Sequence, residues 1–204
     1  MVSAEVGKTS VGSVTVNAQS GKLSEKYESG GSPGAIGFDT TGGYSYGKYQ
    51  LAHQNAKRFV EQSTYAQDFK GLAFNSREWK NKWQEVAKRD PDGFGSAQGQ
   101  YINTSHVQPQ VARLAKAGID VNRYSPAFME VVHSTAVQHG ANTDVIEKAV
   151  ARAGKGATEA DVIRAIYAER WSGGQRFASS TPAVRKAVNN RFDRELKDAL
   201  RMIG

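Results

Sequence analysis

The sequence contains no cysteine and no long apolar run. Without cysteine there is no disulfide, no thiolate nucleophile and no thiolate metal site, so packing alone must hold the fold. No stretch approaches the roughly twenty apolar residues that a membrane span needs. Residues 1–22 carry single valines among Ser, Thr, Gly and Ala, unlike the continuous apolar core of a signal peptide. We therefore expect synthesis in the cytoplasm without a signal peptide, and export, if any, by a separate carrier.

The composition favours one sizeable core and a basic surface. With 204 residues and 39% hydrophobic side chains, nothing asks for a second full domain. The formal charge of +7 favours polyanionic partners. However, basic residues alternate with acids, as in Arg77-Glu78-Trp79-Lys80 and in residues 191–195, which is typical of solvated helix faces. No nucleic-acid partner is therefore expected.

The hydrophobic pattern predicts a mainly α protein of the α+β kind, with one small β-hairpin after the first helix. Residues 1–22 are expected to be a flexible or weakly structured arm, and residues 23–204 a single domain. Period-two alternation over residues 35–46, with a Thr-Thr-Gly-Gly turn, predicts the hairpin. Three-and-four spacing and cap signals predict helices at 48–62, 77–88, 96–104, 108–117 and 126–138, with two more after Thr158 and Thr181. In the last helix a four-residue repeat predicts a buried stripe of Val184, Val188, Phe192, Leu196 and Leu200.

Two short motifs point to other chemistry. Residues 43–47, Gly-Tyr-Ser-Tyr-Gly, match the nucleophile elbow of serine hydrolases, but that elbow requires a strand and a helix in an alternating α/β chain. Only one hairpin is predicted, which leaves a serine hydrolase as a minor alternative. His133 and His139 would lie about 120° apart on a helix, and no histidine–carboxylate cluster has zinc spacing. We expect no metal and no cofactor.

A pair of carboxylates flanks the start of the hairpin. Glu28 ends the first helix, and the following segment Ser29–Gly34 is suited to stop a helix and to let a ligand approach. Asp39 lies eleven residues later on the first strand. Glycosidic cleavage needs one protonated carboxyl, which burial near Tyr27 and Tyr46 can maintain, and one ionised carboxylate. Without further context, a surface glutamate and a turn-forming aspartate would be the ordinary interpretation.

Aromatic side chains crowd the same region. They offer flat faces and hydrogen-bonding tips suited to sugar rings, although a hairpin core would also use some of them. They are Phe38, Tyr44, Tyr46 and Tyr49, beside Gln50.

Several segments together resemble a known family. These are Leu23–Gly31 (LSEKYESGG), Gly42–Gln50 (GGYSYGKYQ), Ala97–His106, Ser134–Gly140, Ala165–Arg170 and Asn190–Glu195. They resemble the lysozyme-like domain of phage lytic and tail proteins, which is similar to the C-terminal effector part of some type VI secretion VgrG proteins. The resemblance covers nearly everything after residue 22. It implies a lysozyme-like or chitosanase-like helical fold, the peptidoglycan glycan strand as substrate, and Glu28 as general acid.

The second catalytic residue departs from the family pattern. The resembling domains have an aspartate closer to the Gly-Gly pair, whereas here Thr40 and Thr41 follow Asp39. Either Asp39 positions the water, or Thr41 does so and Asp39 only forms the turn. The resemblance also implies further cleft residues. The predicted substrate-binding set is Tyr27, Ser45, Tyr46, Tyr49, Gln50, His106, Gln138 and His139.

The resemblance leaves the delivery route open. A phage lysin, released through a holin or carried by the virion, is the favoured interpretation. The alternatives are a type VI secretion muramidase with a cognate immunity protein, a lytic transglycosylase, and a non-catalytic wall-binding or virion structural module. In each case we expect a monomer without an integral membrane segment that acts in the periplasm or cell wall.

Overall fold

The computed structural model describes residues 21–28, 30–39 and 42–203. In these ranges the chain forms nine α-helices and a three-stranded antiparallel sheet, which confirms the predicted mainly α, lysozyme-like fold with a small β element after the first helix. Residues 1–20 of the predicted arm lie outside the described residues. Lys22, the last residue of that predicted arm, is instead the first residue of the first helix.

The elements follow one another along the chain as α1 (Lys22–Glu28), β1 (Ile36–Asp39), β2 (Gly43–Tyr46), β3 (Leu51–Ala52), α2 (His53–Gln62), α3 (Arg77–Arg89), α4 (Pro91–Ile102), α5 (Gln108–Lys116), α6 (Pro126–His139), α7 (Val145–Ala153), α8 (Glu159–Trp171) and α9 (Pro182–Arg201). Short 3-10 turns occupy Ala66–Phe69, Val121–Arg123 and Ser172–Phe177. A π-helical turn, Asn103–Val107, joins α4 to α5.

The sheet confirms the hairpin and adds a strand that the sequence pattern did not reveal. In the hairpin Ile36 lies opposite Tyr46, and β3 then pairs with the other side of β2. The predicted helix over residues 48–62 begins only at His53. Gln50 has a φ of 47°, a left-handed conformation that a helix does not contain, so the chain turns there and passes through β3 first.

Capping explains where several helices begin. Asp90 ends α3 and also caps α4, because its carboxylate accepts a hydrogen bond from the Gly93 N–H at 3.0 Å. Pro91 suits the first helical position that follows, so α4 starts earlier than the predicted residue 96. The predicted capping box of Thr158 and Asp161 is confirmed, with reciprocal hydrogen bonds of 3.2 and 3.3 Å.

An aromatic cluster holds the sheet against α2, α3 and α4. The Tyr46 ring lies 4.8 Å from the Trp79 ring and 5.2 Å from the Trp83 ring, measured between centroids. Trp83 is fully buried and also contacts Phe59 and Phe94. Edge and tilted contacts at such separations are favourable for aromatic pairs. The base of the hairpin is therefore attached to the helical core.

The last helix packs most of the predicted stripe against the core, but the first residue of the stripe is exposed. Val184 is 38% exposed, and Val188 is only partly buried. The buried residues of α9 are Phe192, Glu195 and Ala199. Phe192 lies in the core, Val188, Leu196 and Leu200 pack against it, and the predicted stripe is wrong only at Val184. Glu195, an acidic side chain, shares the buried face of this helix.

The start of α1 is anchored on the central helix α6. The carboxylate of Glu130, 5% exposed, accepts hydrogen bonds from the backbone N–H groups of Gly21 at 2.8 Å and Leu23 at 3.0 Å. These are donors that the first turn of a helix leaves unsatisfied. Ser24 and the His133 ring add a side-chain hydrogen bond of 3.0 Å. The helix that ends at Glu28 is thus held at its start by α6.

We expect the Glu130→Gln substitution to lower the free energy of unfolding by about 1–3 kcal/mol, because an amide of the same shape presents an N–H group to one of the two backbone donors. Urea denaturation followed by circular dichroism measures the change. Glu85→Gln removes an exposed carboxylate of α3 and is the control. Equal stability of the two variants would contradict the anchoring role.

Candidate active site

The turn after Glu28 is built from glycine. Gly30 and Gly31 have φ angles of 65° and 86°, in the left-handed region that other residues disfavour. The Gly31 N–H closes the helix end by donating to the Glu25 carbonyl at 3.0 Å. A Cβ at either glycine would meet no atom within 4 Å. The glycines therefore serve the conformation of the turn, and the space beside them is open to a ligand.

The Glu28 carboxylate pairs with a guanidinium of the last helix. Arg191 Nη2 donates to Glu28 Oε1 at 2.5 Å, and the side chains are 16% and 14% exposed. Such a charge-assisted hydrogen bond orients the carboxylate. The hydroxyls of Tyr27 and Tyr46 instead donate to Asp198 and to Asn75. Glu28 is held by an ion pair across the fold.

A buried ion pair between α8 and α9 supports this contact. Arg170 Nη1 donates to Glu195 Oε1 at 3.0 Å, and both side chains are fully buried. The Tyr167 hydroxyl donates to the same oxygen at 3.0 Å, and the Ser134 hydroxyl also donates to it. On the other side, Arg191 Nε lies 3.5 Å from Glu195 Oε2. Glu195 therefore sits between two guanidinium groups.

The electrostatic balance keeps Glu195 charged. Burial acts to raise the pKa of Glu195, but the charges of Arg170 and Arg191 outweigh it and lower the pKa below its usual range. An ionised carboxylate between two cations is the arrangement that compensates buried charge.

Gln138 and His139, two predicted cleft residues, end α6 beside this network. Gln138 Oε1 accepts a hydrogen bond from Arg170 Nη2 at 2.6 Å. The His139 ring lies 6.0 Å from the Phe177 ring, and its buried Nε2 has no hydrogen-bond partner within the described part of the chain. Burial, with the nearby guanidinium charges, lowers the pKa of His139 to about 3. The ring is therefore neutral at pH 7.

Asp39 lies at the tip of the hairpin. It is the last residue of β1, opposite Gly43, and its side chain is exposed. Its Oδ1 accepts a hydrogen bond from the Gly42 N–H at 2.7 Å, as a turn-forming aspartate does. Thr41 lies outside the described residues. The catalytic roles of Asp39 and Thr41 both stay predictions.

Four predicted binding residues have structural contacts. Tyr46 is fully buried and Tyr49 is 4% exposed, so neither ring presents a face to solvent. The Tyr49 hydroxyl donates to Glu25 Oε1 at 2.8 Å, and burial raises the pKa of Tyr46 to about 12. The Ser45 hydroxyl donates to Gln50 Oε1 at 2.6 Å. These side chains hold the sheet and its turn together.

The elbow-like motif at residues 43–47 is strand β2 and its turn. Ser45 lies between Gly37 and Ala52 in the middle of the sheet. Its hydroxyl donates to Gln50 and not to a histidine, and the turn leads into β3 and not into a helix. This geometry does not fit a nucleophile elbow.

The accessible aromatic surface of the hairpin comes from its other two rings. Phe38 is 65% exposed, and its ring lies 4.9 Å from the Tyr44 ring. The Lys80 ammonium stands 3.9 Å above the Tyr44 ring. The exposed Phe38 ring, with the partly buried Tyr44 ring beside it, suits a sugar better than the buried tyrosines do.

His106 lies in the π-helical turn, apart from the ion-pair network. Its Nδ1 is 2.7 Å from the Ser105 hydroxyl, and burial lowers its pKa. Among the described contacts it interacts electrostatically with His133 and makes no hydrogen bond with Glu28. Over the same residues, no three His, Asp or Glu side chains form a cluster able to hold a metal ion.

The sequence patterns missed the three charged residues that connect Glu28 to Gln138. The prediction of a solvated helix face at residues 191–195 is wrong for Arg191 and Glu195, which are largely and fully buried, whereas Asp193 and Arg194 are exposed. The sequence marks these three residues only through the family resemblance. Arg170, Arg191 and Glu195 all lie in segments that carry the family resemblance.

The fold and the site together define a class of protein. The chain is a mainly α, lysozyme-like fold in which an acid ends the first helix and a small antiparallel sheet follows it in the chain. That acid is tied to a buried charge network from the last helices.

Comparison with known proteins identifies the family. The family described as "Type VI secretion system spike protein VgrG3-like, C-terminal" matches residues 20–196. The type VI secretion system spike protein VgrG3 of Vibrio cholerae serotype O1 is 30% identical over 188 residues, which cover 89% of this chain. The chain belongs to the VgrG3-like C-terminal family. The match spans only 18% of that relative's length.

This family favours the secretion alternative over the phage lysin. A VgrG-like chain fits a secretion apparatus as partner, and the comparisons give the phage interpretation no support. No helix in the described ranges is long and apolar enough to cross a membrane.

We expect the free energy of unfolding to fall as the pH falls from about 6.5 to about 4. Burial lowers the pKa of His133 to about 4 and that of His139 to about 3, against 6.5 for an ordinary histidine. In this window the unfolded chain binds protons that the folded chain does not. Each ring contributes up to about 1.4 kcal/mol per pH unit.

Urea denaturation at pH 8, 6, 5 and 4 measures this slope. His139→Gln should flatten the slope below pH 6, whereas between pH 7 and 8 the difference from the parent should stay constant. An unchanged slope in the acid range would show that the ring is not buried in its neutral form.

Proposed function

We propose that this protein is a peptidoglycan hydrolase of the lysozyme type that acts as a type VI secretion effector. It cleaves the β-1,4 bond between N-acetylmuramic acid and N-acetylglucosamine, and Glu28 protonates the leaving oxygen. The observation that carries the proposal is the placement of Glu28. It is an oriented acid at a glycine turn, and the hairpin that follows it in the chain carries the exposed Phe38 ring.

Acid catalysis requires Glu28 to carry a proton when substrate is bound. In the ligand-free arrangement Glu28 is paired with Arg191. Arg191 has a second carboxylate partner, because its Nε lies 3.5 Å from Glu195 Oε2. When Glu28 leaves the pair, Glu195 therefore still compensates the buried charge of Arg191. A sugar bound over the glycine turn would remove water from the Glu28 carboxyl, and desolvation favours the uncharged form of a carboxyl.

Asp39 or Thr41 handles the water in this mechanism. Asp39 is exposed at the hairpin tip, and Thr41 follows two residues later. An ionised Asp39 would activate or position water, as the second carboxylate of a glycosidase does. The exposed Phe38 ring, beside the partly buried Tyr44 ring, would stack on a sugar ring of the same glycan strand.

Membership of the spike-protein family supports the route of delivery. The secretion apparatus would carry the domain to the periplasm of a neighbouring bacterium, where peptidoglycan is accessible. A producing cell would then need an immunity protein against its own effector. Both statements are part of the proposal.

We expect Glu28→Gln to lower peptidoglycan cleavage by about a hundredfold or more, because the amide keeps the shape but cannot donate the proton. The assay follows the release of reducing ends from purified peptidoglycan. Glu61→Gln, which removes an exposed carboxylate of α2, is the matched control and should retain activity.

Equal activity of Glu28→Gln and the parent would refute the role of Glu28. Mass spectrometry of the fragments defines the chemistry. A reducing muramic acid end supports the hydrolase, whereas an anhydro end would indicate a lytic transglycosylase. Binding to peptidoglycan without any released fragment would indicate a non-catalytic wall-binding module.

The same assay separates the two candidates for the water-handling residue. If Asp39 positions the water, Asp39→Asn should lower turnover by about a hundredfold and Thr41→Ala by much less. The reverse order would assign the water to Thr41 and leave Asp39 as a turn residue. Equal, small losses would contradict both assignments.

A further inference from the structure

A basic groove runs between α1 and α9. Its volume is about 520 Å³, within the range of pockets that hold small ligands. Its lining contains five cationic side chains and one carboxylate. The lining residues are Lys26, Tyr27, Arg191, Arg194, Lys197, Asp198 and Arg201.

The one carboxylate of the groove is already shared. Asp198 pairs with Lys26 at 2.5 Å and with Arg201 at 3.2 Å, and it accepts a hydrogen bond from the Tyr27 hydroxyl at 2.6 Å. Burial and this hydrogen bond raise the pKa of Tyr27 to about 12, so its hydroxyl stays a donor. Local acids therefore do not neutralise the groove.

The remaining cations face solvent. Arg194 and Lys197 are exposed, and within residues 21–28, 30–39 and 42–203 neither forms an ion pair. Their charges are available to an anion that enters the groove. A guanidinium beside an ammonium suits a carboxylate, because the planar fork donates two parallel hydrogen bonds.

The groove is joined to the candidate catalytic acid by one side chain. Arg191 lines the groove and also donates to Glu28 at 2.5 Å. An anion held in the groove therefore lies one side chain away from the acid. A ligand of this groove and a sugar at Glu28 would therefore share Arg191 as a neighbour.

We propose that the groove binds the free carboxylates of the peptide stems that peptidoglycan carries on its muramic acid residues. This inference rests on the proposed function, and it adds that the protein recognises the stem as well as the sugar. The stem is attached to the muramic acid of the scissile bond. With that bond at Glu28, the carboxylates of the stem would lie near Arg191, the ion-pair partner of Glu28. The protein therefore prefers glycan with stems over peptide-free glycan.

The test uses the full chain and soluble disaccharide–tripeptide fragments, which are products of the proposed cleavage and are not cut further. Calorimetry compares these fragments with the same fragments after amidation of their carboxylates, and with the peptide-free disaccharide. We expect the double variant Arg194→Gln/Lys197→Gln to raise Kd for the stem-bearing fragment about tenfold, and amidation to do the same to the parent. The affinity should also fall with added salt.

The double variant Arg77→Gln/Lys116→Gln removes one guanidinium and one ammonium from exposed positions on α3 and α5, and it should bind like the parent. Equal losses in the two double variants, or no effect of amidation, would overturn the proposal. Binding of inorganic phosphate or anionic lipid vesicles in preference to the fragment would also overturn it.

A separate assay on peptide-free glycan strands isolates the proposed function. If the protein cleaves peptide-free strands as well as stem-bearing strands, the role of the groove is rejected and the hydrolase proposal stands. If the protein binds stem-bearing fragments but cleaves no glycan, the hydrolase proposal is rejected and the role of the groove stands.

Discussion

The buried ion pair between Arg170 and Glu195 is the interaction on which the rest of the site depends. Both side chains are fully buried, and the hydroxyls of Tyr167 and Ser134 donate further hydrogen bonds to Glu195. Removing one partner of such a pair typically costs about 3–5 kcal/mol, because the other charge is left without compensation. The pair joins α6, α8 and α9, and through Arg191 it reaches the end of α1.

The short helix α1 gains its position from contacts at both ends. Glu130 of α6 holds its first backbone N–H groups, and Arg191 of α9 holds the carboxylate at its last residue. A seven-residue helix has little stability of its own. Its two anchors come from distant parts of the chain, which places Glu28 at a defined point against the last helix. The proposed chemistry and the basic groove both use this placement, since Arg191 belongs to each.

The sequence predicted local structure well where one interaction dominates. The apolar segment at 126–138 is the buried helix α6, and Thr158 with Asp161 forms the predicted capping box. Prediction failed where a single residue changes the backbone, as at Gln50, whose left-handed conformation turns the chain into β3 before α2 begins. It also failed at Glu195. A charged side chain at helical spacing predicts a solvated face unless its buried partners are known, and those partners lie 25 and 61 residues away.

The sequence by itself determined the helical class, the early hairpin and the glycine turn after Glu28, because these depend on spacing, capping and glycine conformation within a few residues. The family resemblance singled out Glu28, Gln138 and His139, and tertiary structure then joined Glu28 to Gln138 through Arg191, Glu195 and Arg170. Tertiary structure alone decided that Tyr46 and Tyr49 are buried while Phe38 is exposed. The physical reason is that burial and charge compensation are properties of side chains brought together from distant helices, and no local pattern records them.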